Sequence, residues 1–385
     1  MLLNRAKLLA SPAANTVFTT VLTRGPVVRP EIARITGLSS AAVTKAVKPM
    51  IEAGYLEELP QGPRTVEGAG RPAYPLTVRA DREFFVGVKV TADELIGVVT
   101  DLRAQIVRTA HRIPVSDRSV AQVVRDIAVL VAKMTPAHAE RTHHIGLSVS
   151  GDVDRPGGVV RYSPFLGWRD VHLAELVATA TGLAVTVEND VKALTVAEQW
   201  FGQGVGADSF ALATVGVGIG CALVVNGRLI AGGYGVAGEI GHIPVAAGEG
   251  PTCHCGARGC VEAIASEEAI VARARLAAGE PDLDMAGAID RAHGGDAAVQ
   301  AVFDEAGKAI GLGLAAMVNV VGPERVVVSG EGVAAYDLFE EQIRAAFTTQ
   351  VFGAAARCPL VVRPLPWEEW ARGAAAVSIQ SLFAA

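Results

Sequence analysis

The sequence predicts an α/β protein of more than one domain, on three observations. At 385 residues the chain exceeds the usual span of one hydrophobic core. Its first 80 residues combine helical spacing with a basic balance, and the remainder alternates short apolar runs with amphipathic stretches, as strands and helices do in turn. Half the residues are hydrophobic and 19% charged, with 42 Gly and 19 Pro, which excludes collagen-like, coiled-coil and disordered chains. Asn4, Arg5 and Lys7 interrupt the apolar start, and no segment is apolar for the roughly eighteen residues a membrane helix needs. A soluble, cytoplasmic protein without a membrane segment is expected.

Apolar residues recur at helical spacing from Asn15 to Arg24, until Gly25-Pro26 breaks the pattern. Pro30 stands where a second helix, EIARITG, begins, and Gly37 ends it. Ser39 is a natural N-cap for a third helix running to about Ala53, with Val43, Val47 and Ile51 facing inward. Gly54 stops that helix, and YLEEL and AYPLTV follow as short strands around a loop rich in Gly, Pro and Arg. Residues 1–80 therefore read as a helix-turn-helix with a wing.

In such a unit the third helix enters the major groove of double-stranded DNA. Ser39, Ser40, Thr44, Lys45 and Lys48 are its candidate contacts. In the wing, Gly70-Arg71-Pro72 suits a narrow minor groove and Arg64 a phosphate. Pro49 is expected to end or kink the third helix early. Residues 1–80 hold ten Lys or Arg against five Glu, a net of +5, whereas the rest holds 24 basic and 35 acidic residues, a net of −11. A basic module on an acidic body points to a polyanion partner; a protein-interaction bundle is the alternative.

Beyond Arg82, FFVGVKV, LIGVVTDL, IVRTAHRIPV and HHIGLSVSG read as strands and SVAQVVRDIAVLVAKM as an amphipathic helix. After Glu188, ALATVGVGIGCALVVNGRLI reads as a hairpin, and long helices flank the strand RVVVSG. Two α/β lobes with a cleft between them are expected: 81–190 with 367–385 as the small lobe and 191–366 as the large one.

The five cysteines, Cys221, Cys253, Cys255, Cys260 and Cys358, are an odd number without a secretory signal, which argues against a disulfide framework. Three of them cluster in EIGHIPVAAGEGPTCHCGARGCVE, from Glu239 to Glu262. His242, Cys253, Cys255 and Cys260 suffice for a closed, structural tetrahedral Zn2+ site, one per chain, with Gly256 and Gly259 permitting the tight loop. His254 is a competing nitrogen, but its place between two thiolates would strain simultaneous binding.

E-x-G-H at Glu239 to His242, followed by C-x-C-G-x-x-G-C-x-E ending at Glu262, resembles the signature of the ROK family of repressors, open reading frames and kinases. The resemblance covers nearly the whole chain. It implies a winged helix-turn-helix joined to a two-lobed sugar-kinase fold of the actin-like, ribonuclease H-like type. It also implies a sugar pocket: Asn189 and Asp190 look like the family's Asn-Asp pair, joined by Glu239, His242, Glu262 and the loop residues Ser150 and Gly151. Carboxylates and amides are directional partners for sugar hydroxyls, and unpaired buried polar groups penalise the wrong epimer.

In family kinases the aspartate takes the proton of the attacking hydroxyl, and Asp-x-Gly-Gly-Thr holds the ATP phosphates. Here that segment reads Lys89-Val90-Thr91-Ala92-Asp93. Cβ atoms replace both glycines and a carboxylate would repel phosphate, so phosphoryl transfer is expected to be lost, leaving Asp190 a vestigial base and no catalytic residue. A second glycine loop, Gly216-Val217-Gly218-Ile219-Gly220, is partly kept, and Ser329-Gly330 resembles the nucleoside-side loop with its first glycine changed. The expectation is a sugar-responsive, DNA-binding transcriptional regulator, most simply a repressor, acting as a homodimer or homotetramer on an operator. The rivals are an ATP-dependent sugar kinase with a fused DNA-binding domain and a body that only dimerises.

Overall fold

The computed structural model describes residues 11–60, 74–246 and 250–383, so Arg64 and Arg71 of the expected wing lie outside the described residues. The chain divides into two units, Met1–Gly206 with Glu368–Ala385, and Ala207–Trp367.

The first unit opens with helices α1 (Pro12–Arg24), α2 (Arg29–Thr36) and α3 (Ser40–Glu52). Gly37 leaves α2 at φ +70°, and the Ser39 hydroxyl caps α3 by accepting the Ala42 N–H at 3.2 Å. α3 does not stop at Pro49 as expected, because a proline in the last turn forfeits only the bond to the Lys45 carbonyl. Its inward face is Val43, Val47 and Met50, with Met50 in the place expected for Ile51. β1 (Leu56–Glu58) and β2 (Leu76–Val78) pair antiparallel, and Val27 bridges Leu76.

The chain continues through β3 (Phe84–Val90), β4 (Glu94–Thr100), β5 (His111–Pro114), α4 (Val120–Met134) and β6 (Thr142–Val149). A small antiparallel sheet follows, of β7 (Asp152–Asp154), β8 (Val159–Ser163) and β9 (Trp168–Val171), then α5 (Leu173–Thr181), β10 (Ala184–Asn189) and α6 (Asp190–Phe201). The main sheet has the order β10-β6-β3-β4-β5, its first three strands parallel and the last two antiparallel. β5 is shorter than the run from Ile106 predicts: Ile106 only bridges Thr100, and Arg108 and Thr109 face solvent.

Every residue of β3 is buried, since α4 packs on one face of the sheet and the helix Glu368–Phe383 on the other. That helix comes so close that a Cβ on Gly87 or Gly146 would lie 1.9 or 1.8 Å from the carbonyl oxygens of Ala371 and Ala374. It also packs on α6, where Gly373 meets the Ala193 backbone. The helical head is tied to this sheet. The Tyr55 hydroxyl donates to Glu83 at 2.5 Å with both residues buried, Arg82 lies 5.2 Å over the Tyr55 ring, and Arg103 donates to the Gly25 carbonyl at 2.6 Å.

The second unit contains β11 (Phe210–Val215), β12 (Ile219–Val225), β13 (Arg228–Leu229), α7 (Val261–Ala265), α8 (Glu267–Ala278), α9 (Met285–His293), α10 (Ala297–Val321), β14 (Val326–Ser329), α11 (Tyr336–Gln350) and β15 (Leu360–Val362). Its sheet runs β13-β12-β11-β14-β15, with β11, β14 and β15 parallel. The core joins Phe303 and Leu314 of α10 to Phe339 and Ile343 of α11 and to Ala211 and Val326 of the sheet. Among the described residues no helix is long and apolar enough to cross a membrane.

Candidate functional site

On α3, Ser39, Ser40, Thr44, Lys45 and Lys48 are all exposed, on the side opposite Val43, Val47 and Met50. The Ser39 hydroxyl is engaged as the cap, and the Thr44 hydroxyl donates to the Ser40 carbonyl at 2.9 Å. Lys48 lies 3.9 Å from Glu52, and both side chains are mostly exposed. Such a surface pair contributes at most about 1 kcal/mol and yields readily to a phosphate.

In the first unit the four pocket residues expected from the sequence do meet. β10 delivers Asn189 and Asp190 beside the end of its parallel neighbour β6, which carries Ser150 and Gly151 just beyond. Asn189 caps α6, accepting the Lys192 N–H at 3.1 Å, while its amide donates to the Gly151 carbonyl at 2.9 Å. Asp190 accepts the Ser150 hydroxyl at 2.5 Å and the Val191 N–H at 2.9 Å.

Its other partner was not legible in the sequence. The Lys89 ammonium forms an ion pair with Asp190, donates to Ser150 at 3.2 Å, and stands 5.1 Å over the Trp370 ring. Lys89 is 4% exposed and Asp190 7%. Burial alone would raise the Asp190 pKa, but the Lys89 charge and the bonds from Lys89 and Ser150 outweigh it and hold the carboxyl below its usual value. A carboxylate has about four lone-pair sites, and three are filled here. Lys89, the Ser150 hydroxyl and the Val191 N–H thus hold this aspartate as an anion. Thr91 and Asp93 serve the turn into β4, with Asp93 paired to Arg118 at 3.1 Å.

In the second unit the short turn Ile240–His242 presents His242 beside the loop from Cys253 to Cys260. His242 Nδ1 lies 3.6 Å from Cys253 Sγ, Cys255 and Cys260 sulfurs are 3.9 Å apart, and all four donor atoms lie within 4.8 Å of one another. A zinc ion with Zn–S of about 2.3 Å at the centre of a tetrahedron needs ligand separations of about 3.8 Å, so the quartet fits. Gly256 and Gly259 adopt φ of +91° and +70°, as the tight loop requires. Burial raises the Cys253 and Cys260 thiols, Cys260 to about 12, whereas the Ala257 N–H keeps the exposed Cys255 below its ordinary value.

The outer nitrogen of His242 faces Glu239 at 4.0 Å. Glu262 accepts the Ile219 N–H at 3.0 Å through one oxygen and meets His254 Nδ1 at 3.1 Å through the other. The two imidazoles stand edge to face at 5.1 Å between centroids. Glu239, His242, His254 and Glu262 thus lie close together, with His254 against Glu262 and with His242, His254 and Glu262 themselves near enough to one another to share an ion.

The sequence model of the ROK family matches residues 85–381. The chain is 32% identical to a glucokinase of Thermotoga maritima over 61% of its own length and 77% of that protein. It is 26% identical to a xylose repressor of Bacillus spizizenii over 86% of its length and 85% of the repressor. The crystal structure of a ROK family transcriptional regulator, a homologue of the E. coli MLC protein, superposes with a TM-score of 0.81 at 25% identity, covering 98% of this chain and 97% of that one.

Proposed function

Because the chain belongs to the ROK family, we propose that it is a sugar-responsive transcriptional regulator, most simply a repressor, that binds double-stranded operator DNA through α3. The observation that carries this reading is coverage: the match to the regulators extends through the helical head, whereas the match to the glucokinase spans only part of the chain. Exposed Lys45 and Lys48 and the basic balance of residues 1–80 support the DNA contact. A symmetric homodimer or homotetramer in the cytoplasm, reading a palindromic operator, goes with it.

Hydroxyl-binding roles are proposed for Ser150, Gly151, Asn189 and Asp190 within the first unit and, separately, for Glu239, His242 and Glu262 within the second. Their carboxylates, amides and imidazole suit a neutral, hydroxyl-rich ligand. The protein is read as a non-enzyme because Lys89 takes up the charge of Asp190, which a general base would have to keep available. His242, Cys253, Cys255 and Cys260 would hold one structural zinc ion, whose chemistry is to cross-link the loop that carries Glu262 at its end.

The test is a thermal-shift panel of free sugars, sugar phosphates and ATP with magnesium, followed by gel shifts on operator fragments with the sugar that binds. At a hundredfold excess over Kd a ligand adds roughly 2.7 kcal/mol of stability. One sugar that shifts the unfolding temperature and alters DNA affinity, with ATP silent, is the expected result. The retained Asp190 favours a sugar kinase as the second reading, and an ATP shift that grows with sugar would replace the first with it.

A further inference from the structure

Parallel strands β11 and β14 end side by side, with Thr214 paired to Ser329. The crevice beyond the carboxyl ends of such strands is where α/β sheets receive ligands, and turning backbone there offers N–H groups to anions. The loops leaving the two strands are Gly216-Val217-Gly218 and Gly330-Glu331-Gly332. Gly330, at φ +100°, and Gly332 lie against the end of β11, where a Cβ on either would stand 2.4 or 2.9 Å from the Val215 carbonyl oxygen. Their bareness lets the second loop close on the first, and the one side chain between them is carried onto the tip of the hairpin. Glu331 Oε1 accepts the Val217 N–H at 3.0 Å, and its carboxyl carbon lies 2.3 Å from where a Cβ on Gly216 would be. The Ile219 N–H of the same tip is taken by Glu262.

We infer that Glu331 is a built-in anion that fills the end of β11 and closes this backbone site to polyphosphate ligands. The charge balance of the corner agrees. Glu267 begins α8 beside Gly216, whose carbonyl accepts the Glu267 N–H at 2.9 Å, and burial followed by the Glu331 charge raises the Glu267 pKa. A phosphate chain arriving here meets two carboxyl groups and occupied amides. The ligand class excluded is inorganic or nucleoside polyphosphate, and the inference depends on neither sugar nor DNA binding.

The experiment is calorimetric titration of the full-length protein with inorganic tripolyphosphate, comparing wild type, Glu331→Ala and Glu331→Ala/Glu267→Gln. The wild type is expected to give no measurable binding and the variants an affinity at least about tenfold higher, the worth of one freed charge-assisted hydrogen bond. Hydrogen exchange at the Val217 amide should quicken in Glu331→Ala. Wild-type binding equal to that of the variants overturns the inference. So do folded variants that bind no tripolyphosphate and whose Val217 amide exchanges at the wild-type rate. Should Glu331→Ala unfold, Glu331→Gly removes the same carboxylate between two residues that are already glycine, and tripolyphosphate binding no tighter than wild type would count equally against it.

Discussion

Replacing Lys89 with methionine, a side chain of similar length, would strand the Asp190 charge in a site where it is only 7% exposed. Removing one partner of a buried ion pair costs about 3–5 kcal/mol. For a unit of this size, about 2–4 °C per kcal/mol gives a fall in Tm of roughly 6–20 °C. The pH dependence carries a definite sign. In the wild type the native Asp190 pKa is depressed, so its stabilisation is present above the ordinary carboxylate value of about 3.9 and is lost as pH falls through the native value. In Lys89→Met only the Ser150 hydroxyl and the Val191 N–H still oppose burial, so the Asp190 pKa rises and protonation relieves the stranded charge. The deficit should therefore shrink as pH is lowered from about 7 toward 5. Lys89→Met/Asp190→Asn removes both charges and should recover more than half of the loss. Denaturant unfolding of all four members of the cycle at both pH values measures this. A deficit under about 1 kcal/mol at neutral pH, or two single losses that simply add, would refute the coupling.

Chelation at neutral pH, or Cys255→Ser, should lower both the metal content measured by atomic absorption and the unfolding temperature, because binding at a closed site contributes to folding. His254→Ala should leave metal content unchanged yet weaken the sugar found in the thermal panel by about tenfold, since Glu262 loses its lateral partner; unchanged affinity would sever that link. Lys45→Ala and Lys48→Ala should each weaken operator binding and reduce the slope of log K against log salt by about one, read from fluorescence anisotropy over a salt series. Unaltered slopes would move the phosphate contacts elsewhere.

What could be read from the chain was whatever local chemistry dictates. Ser39 announces the start of α3 because a hydroxyl before an apolar helical run has little else to do, and the C-x-C-G-x-x-G-C spacing announces three clustered thiols because they lie within one loop, with His242 only eleven residues before the first of them. Asn189 and Asp190 come to Ser150 and Gly151 through the pairing of two apolar parallel strands. Lys89 was visible as a departure, and a lysine inside the apolar run FFVGVKV should by itself have signalled a buried counter-charge. Its partner lies 101 residues away, a separation no periodicity encodes. Glu331 escaped notice for the same reason: its role depends on two glycines packing against a strand more than a hundred residues earlier. The extent of β5 was misjudged because it depends on tertiary packing rather than on local pattern.

The joint between the helical head and the first sheet limits how this architecture can be recombined. Tyr55 and Gly25 belong to the head and their partners Glu83 and Arg103 to the body, so the seam is a matched surface as well as a stretch of chain. A chimera joined near residue 80 that brings a foreign head would leave the Glu83 carboxyl buried without its phenol and the Arg103 guanidinium without its carbonyl. Exchanging operator specificity between relatives then requires grafting the outer surface of α3 onto this head, or moving both sides of the seam together.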